Sequence, residues 1–323
     1  QEGCIVAPMV AAIDGQWEAD FLDRFLDATR TPDERIGDLS AQLGSNEAGS
    51  LRLLEAIDAE GVERHDLVTR SLLDYGEARM RAAIEALPDG EYRFEDVMEW
   101  GEDDLPIKVA ITVDAGSLTA DFAGTSPQIE GNINAVEAVT RSCLYYAVRV
   151  ATDPTIPANG GCYRPLHLQV PEGSLVGASP PAAVAAGNVE TSQRIADTLL
   201  GALAGAAPDR VAAASQGTMN NVLIGSGGTV YYETVAGGEG GTPQRPGQSG
   251  IHTGMTNTKN TPIESVETHY PFRIVATRLR TGSGGEGLHP GGEGMVREIE
   301  FLEPATVSLM GERRRHQPWG LAG

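Results

Sequence analysis

At 323 residues, with 41% hydrophobic and 21% charged content, the chain is long enough to bury a substantial core as one large domain or two smaller ones. A formal net charge of −21 argues against a nucleic-acid partner, since phosphate backbones require a basic surface. No apolar run approaches the roughly 20 residues of a membrane-spanning helix.

Arginine carries nearly all the positive charge, the only lysines being Lys108 and Lys259, and the acidic excess reads as a solvated exterior. The opening Gln1-Glu2-Gly3-Cys4 has neither a basic stretch nor an initiator Met, and is expected to be an interior point of a longer chain rather than a signal peptide. Cys4, Cys143 and Cys162 show no CxxC or other metal spacing, and three thiols cannot all pair within one chain. Reduced thiols in a cytoplasmic protein are the simplest account.

Taken in chain order, Trp17, Phe21, Leu22, Phe25 and Leu26 repeat at helical spacing. Thr31, Pro32 and Glu34 then supply a cap, a favoured first residue and a capping-box acid. The helix they open is expected to be interrupted near Gly44 and Gly49 and to end by Gly61. A further helix is predicted over 64–87, closed by Pro88-Asp89-Gly90. Beyond Gly90 the period changes. Ile107, Val109, Ile111 and Val113 alternate, Asp114-Ala115-Gly116-Ser117 turns, and Leu118, Ala120 and Phe122 alternate again, which predicts a hairpin. Helical spacing returns over 134–152 and 188–206. Strands are predicted around 230–235, 272–279, 296–302 and 306–309, and the Gly-rich stretch 237–250 is predicted to be a long mobile loop. Helices and strands mix without regular βα alternation, so the expected class is α+β, with a helical segment over 1–89 and a mixed region over 90–323.

Several familiar chemistries are excluded by context. Gly282-Ser283-Gly284-Gly285-Glu286-Gly287 has the G-x-G-x-x-G spacing, but Leu288-His289-Pro290-Gly291-Gly292 cannot open the helix a dinucleotide site requires. These glycines are expected to permit tight turns or close backbone approach. There is no Walker A sequence and no G-x-S-x-G elbow. None of the six histidines pairs with another at helical zinc spacing. Glu267 and His269, if on a strand, would share a face as a possible ligand pair.

What remains is an ordered series of small, polar and Gly-rich clusters. They include Asp121-Phe122-Ala123-Gly124-Thr125, Gly131-Asn132-Ile133-Asn134, Asn159-Gly160-Gly161-Cys162 and Gly187-Asn188-Val189-Glu190-Thr191-Ser192-Gln193-Arg194. Thr256-Asn257-Thr258-Lys259-Asn260-Thr261-Pro262, Glu264-Ser265-Val266-Glu267, Gly291-Gly292-Glu293-Gly294 and Pro318-Trp319-Gly320-Leu321 follow. In this order and spacing, from Glu2-Gly3 to Gly323, the chain resembles the C-terminal part of the hydantoinase B/oxoprolinase family.

The resemblance implies a component of an ATP-dependent cyclic amide hydrolase. An A-type partner subunit would use ATP to phosphorylate a carbonyl oxygen, and the B component would hydrolyse the activated species; a carboxylase subunit is the related alternative. It also implies a divalent metal in the complete assembly, held by His- and Asp-containing motifs upstream of the Glu-Gly segment. That region is missing here, so the metal's ligands are expected mostly outside this chain, on a missing N-terminal B region or another chain. The isolated chain is expected to be inactive, or to be a structural half whose chemistry lies on another polypeptide.

Candidate site residues lie in the polar clusters. Asp121 and Thr125, at a strand end, and Asn134 and Asn159 are candidates for orienting a small-molecule substrate. Asn188, Ser192 and Gln193 open a predicted helix whose free N–H groups would favour an anionic intermediate, although Asn188 and Ser192 suit plain capping equally well. Glu190, Glu264 and Glu267 are candidate acids or bases, the last two read as strand carboxylates.

Overall fold

The computed structural model describes residues 6–29 and 32–321, so the Thr31 cap, Cys4 and the two ends of the chain lie outside the described residues. The chain divides into two compact units, residues 1–75 and 76–323. The first opens with a two-residue hairpin, β1 (Ala12–Ile13) to β2 (Gln16–Trp17), turned by Asp14 (φ 49) and Gly15 (φ 76) in the left-handed pair that a tight hairpin needs. In α1 (Ala19–Asp27), Phe21 and Phe25 lie one turn apart and continue a stack begun by Trp17, with centroids 5.8 Å apart at each step. α2 (Pro32–Glu60) is continuous through Gly37, Gly44 and Gly49, so the predicted interruptions do not occur. A helical glycine costs about 1 kcal/mol against alanine without breaking the helix. Gly61 (φ 82) ends α2, its N–H reaching the Ile57 carbonyl at 2.7 Å, and α3 (Val62–Glu85) begins at the next residue.

The second unit takes in the end of α3, whose Met80 and Ile84 are buried. Its main sheet is formed by β3 (Gly90–Trp100), β4 (Asp103–Asp114), β5 (Ser117–Asp121) and β6 (Leu166–Gln169), in that spatial order. The first three are antiparallel and β6 runs parallel to β5. The predicted hairpin is the β4–β5 pair, with Ala115 (φ 46) and Gly116 (φ 77) at its tip. Alternation sends Met98, Ile107, Val109, Ile111, Leu118, Ala120 and Phe122 to one face, into the core. There they meet α4 (Glu137–Ala151) and α5 (Ser192–Leu203), which pack on each other while α5 lies against β3 and β4.

The remainder is built from β7 (Asn221–Ser226), β8 (Thr229–Thr234), α6 (Ile263–His269), β9 (Phe272–Leu279), β10 (Met295–Phe301) and β11 (Thr306–Met310). β11-β7-β8 form one antiparallel sheet and β9–β10 a hairpin. A small second core of Ile224, Tyr231, Val266, Phe272 and Ile274 holds them together. The fold is α+β, with helices α1–α3 preceding sheets interleaved with helices.

The Gly-rich stretch 237–250, predicted to be a long mobile loop, is irregular in backbone and lies between β8 and α6. It is laid backbone to backbone against 284–294: Gly292 N donates to Glu239 O at 2.8 Å, Gly247 N to Pro290 O at 2.9 Å and Gly250 N to Glu293 O at 3.0 Å. A Cβ at Gly238 would lie 2.0 Å from the Gly292 carbonyl oxygen, and one at Gly292 1.9 Å from that of Gln248. Glycine is required here by close approach; of the 282–287 glycines, Gly284 likewise faces the Gly291 carbonyl and Gly282 (φ 76) makes a turn, whereas Gly285 and Gly287 have room for a Cβ. Gly292→Ala is expected to lower stability by roughly 3 kcal/mol through overpacking. Gly44→Ala, with nothing within 4 Å of its Cβ, should raise it by about 1 kcal/mol. Equal melting temperatures for the two variants would contradict this packing.

Candidate functional site

The densest buried polar chemistry gathers at the start of α5. Gly187–Thr191 form a single π turn that runs directly into α5. Its amides are already engaged: Glu190 N donates to Ala186 O at 2.9 Å, and Ser192 N to Gly187 O. The open helix N-terminus expected from the sequence is therefore consumed by the extra turn. The Ser192 hydroxyl points back along the helix, donating to Asn188 O at 3.0 Å and Val189 O at 3.1 Å, so it does not cap the helix. Asn188 is exposed, with no side-chain cap bond at either segment's start.

Glu190 is sealed from solvent. Its carboxylate accepts from the Thr218 hydroxyl at 2.9 Å, from Met219 N at 3.1 Å and from Asn221 Nδ2 at 3.4 Å. Burial pushes its carboxyl up to about 7 against the lowering pull of Thr218 and Met219. Gln193, also buried, grips a separate loop with both ends of its amide. Nε2 donates to Thr253 O at 3.1 Å and Oε1 accepts from Met255 N at 2.8 Å, on either side of Gly254 (φ 64).

At the next residue, Arg194 is fully buried and places Nη1 3.3 Å from each carboxylate oxygen of Asp96 on β3. Arg313, held at φ 61, meets the same carboxylate in bidentate fashion at 3.0 and 2.6 Å and reaches Asp197 at 3.4 Å. Glu312 stands 3.7 Å from Arg194 and accepts from Glu99 N at 3.0 Å. Burial raises the Asp197 carboxyl to about 6, although Arg313 and Arg194 oppose it, and raises Glu312 as well. The sequence drew attention to Glu190 and placed Arg194 in the same motif without a role, but did not single out Asp96, Asp197, Glu312 or Arg313. Three of these belong to strand or C-terminal segments whose partners are distant in sequence; only the apolar surroundings of Arg194 and Asp197 in a helical pattern offered a signal.

The other candidates fall into separate places. Asn134 is fully buried and its amide is saturated, Oδ1 by Ile129 N at 2.8 Å and Nδ2 by the carbonyls of Ile129, Gly131 and Ala183 at 3.0, 2.8 and 3.0 Å. Asn159 Oδ1 accepts from Gly161 N at 2.9 Å and Cys162 N at 3.2 Å, ordering a turn. Thr125 bonds both N and O of Lys108, and Asp121 accepts from Ala123 N at 2.9 Å at the end of β5. Glu264 and Glu267 are exposed on the short helix α6, not on a strand. Val266 is the one buried residue of that helix and ties it to the second core. Glu267 accepts from Ile274 N at 2.9 Å while His269 bonds Ser265 O at 2.7 Å, so they do not form the ligand pair suggested for a strand. The structure thus brings together Asn188, Glu190, Ser192 and Gln193, and leaves Asp121, Asn159, Glu264 and Glu267 elsewhere.

Among the described residues no three His, Cys, Asp or Glu side chains converge to hold a metal ion. The carboxylate-rich cluster of Asp96, Asp197 and Glu312 is filled by two guanidiniums. Cys143 and Cys162 are free and buried. No helix among the described residues is long and apolar enough to cross a membrane.

The whole chain, residues 1–323, matches the family described as Hydantoinase B/oxoprolinase. It is 38% identical over 309 residues to 5-oxoprolinase 1 of Arabidopsis thaliana, covering 91% of this chain and 24% of that protein. It is 33% identical over 318 residues to the B component of a putative D-/L-hydantoinase from Pseudomonas sp. (strain NS671), covering 92% and 53%. The crystal structure of the ATP-dependent caprolactamase from Pseudomonas jessenii superposes with a TM-score of 0.87 at 27% identity, covering 95% of this chain and 55% of that one. The chain therefore spans between about a quarter and just over half the length of these relatives.

The raised Glu190 carboxyl has a defined consequence for stability. The folded protein holds this proton more tightly than the unfolded chain, so the contribution of Glu190 to stability is fully present below its ordinary value of 4.5 and is lost as pH rises from 4.5 to about 7. The loss reaches about 3 kcal/mol for a shift of this size. Glu190→Gln removes this titration and should make the fall of the melting temperature across that window shallower, leaving the part that Asp197 and Glu312 contribute. An unchanged slope would show that Glu190 is ionised without cost in the folded state.

Proposed function

Because the chain belongs to the hydantoinase B/oxoprolinase family, we propose that it works as part of the B component of an ATP-dependent cyclic amide hydrolase. The observation that carries this is the family match along all 323 residues. It is supported by the likeness to an ATP-dependent caprolactamase and to the B component of a putative hydantoinase. A cyclic amide carbonyl is a poor electrophile; phosphorylating its oxygen activates the carbon, so that water adds there, the protonated ring nitrogen departs to leave a linear acyl phosphate, and a second water releases phosphate and the carboxylate. In this division of labour an A-type partner binds ATP and makes the phosphate ester, and the B component presents the activated substrate to water. A cytoplasmic setting accords with the free buried thiols of Cys143 and Cys162.

A divalent metal in the complete assembly is part of the same proposal. The described residues do not fit one, because the buried carboxylates that could ligate it already hold Arg194 and Arg313. Within this chain, the proposed substrate-facing elements are the exposed Asn188 and the half-buried 253–255 loop, which Gln193 holds from the buried start of α5. Gln193 acts as a positioning residue: its amide fixes the loop by two hydrogen bonds that a hydrocarbon cannot make. Glu190, poised near neutrality, is the group in this segment whose protonation changes most readily at physiological pH. Ser192, spent on the helix backbone, has a structural part only.

The test is reconstitution with an A-type partner and a panel of cyclic amides, set against ketones with bicarbonate. ADP and phosphate release coupled to ring opening is the expected result; coupling to ketone carboxylation alone would overturn the assignment. In the reconstituted enzyme, Gln193→Leu is expected to lower kcat/KM by about tenfold, while Ser192→Ala costs about 1 kcal/mol of stability with kinetics unchanged. Normal kinetics in Gln193→Leu would remove the 253–255 loop from the site.

A further inference from the structure

On the opposite side of the main sheet from the buried cluster lies a groove of about 570 Å³. Its geometry follows from register. Arg93, Ala110, Asp121 and Gln169 form one cross-strand row on β3, β4, β5 and β6. Ala110 contributes only a methyl group, so the row dips between Arg93 and Asp121, which stand two strand spacings or roughly 10 Å apart. Lys108 lies on the same face of β4, directly opposite Glu95, with Nζ 2.9 Å from Oε2.

The cluster Asp121-Phe122-Ala123-Gly124-Thr125 is wrapped around this lysine. Phe122 is buried as an anchor in the core. Asp121 turns outward, one oxygen accepting from Ala123 N, and no described residue bonds its Oδ2. Gly124 (φ 85) turns the backbone alongside it, where a Cβ would make an ordinary 3.5 Å contact with Lys108 Cδ. Thr125 Oγ1 holds the Lys108 backbone by accepting from N at 3.1 Å and donating to O at 3.2 Å. The segment thus holds the backbone of one of the chain's two lysines, whose Nζ pairs with Glu95 while Asp121 stands on the neighbouring strand of the same face.

Cations at Lys108 and Arg93 therefore face an anion at Asp121 and an amide at Gln169 across a dip floored by Ala110. The ion pairs Lys108–Glu95 and Arg93–Glu91 are half exposed, and such pairs hold their partners weakly enough to exchange. A ligand carboxylate gains charge-assisted bonds from the cationic side, and a ligand ammonium gains them from Asp121.

We propose that this groove binds a linear amino acid whose ammonium and carboxylate are separated by several carbons, the ring-opened form of a cyclic amide. An α-amino acid, with one carbon between its charges, does not span the dip. The identification of this ligand with a reaction product rests on the hydrolase assignment; the charge pattern does not.

Calorimetric titration of the enzyme carrying this chain with 6-aminohexanoate tests it, with hexanoate, hexylamine and alanine as companions. Saturable binding of 6-aminohexanoate, about tenfold tighter than any companion, is expected from two charge-assisted contacts made together. Asp121→Asn should weaken 6-aminohexanoate and hexylamine by about tenfold and spare hexanoate. Lys108→Met should do the reverse, with Lys108→Arg restoring binding. Both side chains are solvent-accessible, so melting temperatures should not move. Absence of saturable binding in the wild type, equal binding of alanine, or undiminished binding in both variants overturns the proposal. If binding behaves as stated while the reconstituted enzyme opens no ring, the hydrolase assignment fails and the groove stands. If rings are opened but 6-aminohexanoate does not bind, the groove alone is wrong.

Discussion

The second unit is organised around one buried carboxylate shared by two guanidiniums. Asp96, on the inner face of β3, meets Arg194 from α5 and Arg313 from the C-terminal segment. Taking such charges out of water costs several kcal/mol per ion unless each is paired and hydrogen-bonded, and removing one partner strands the others. The arrangement therefore locks sheet, helix and C-terminal loop into one relation. The loop gains further from Glu99, which accepts from the backbone N–H groups of Arg314, Arg315 and His316 at 3.0, 2.8 and 2.8 Å. Those three bonds hold the Glu99 carboxyl below its ordinary range despite partial burial.

That lock also explains why the start of α5 is dense in polar side chains yet closed to water. Two carboxylates there, Glu190 and Asp197, sit at positions where desolvation outweighs their favourable partners. Such groups are where a fold carries internal tension, and they cluster at functional sites more often than elsewhere. The π turn over 187–191 has the same character. One extra residue in the helix shifts the faces of Asn188 and Glu190, sending Glu190 inward to Thr218 and leaving Asn188 exposed.

Much of the series of small and polar residues along the chain turns out to be backbone management. Asn134 saturates four backbone groups, Asn159 orders a turn, and the glycines of 237–250 and 284–294 let two irregular segments share hydrogen bonds at a distance no side chain would permit. The Asp121–Thr125 segment is different, because it leaves a carboxylate oxygen and a lysine facing outward across a groove.

Local patterning suffices wherever the physics is local. The β4–β5 hairpin is legible because period-two alternation and an Ala-Gly turn specify it without outside help, and β9 because Phe272, Ile274 and Ala276 alternate over 272–279. Helices α3, α4 and α5 are legible from the apolar spacing they present to the core. β3, β6 and β7 are not: β6 is four residues long and parallel, and β7 gains its identity only by pairing with β8 and β11, the latter some 80 residues away. α6 reads as a strand because seven residues are too few for a helical period to show. The α+β class follows from the amino-acid order alone, and so, through the spacing of its motifs, does the family. Tertiary contacts settle the rest, namely which polar residues are consumed by the fold and which face outward. Hydrogen-bond partners and burial depend on segments distant in the chain, and Asp96 acquires its meaning from Arg313, 217 residues further on.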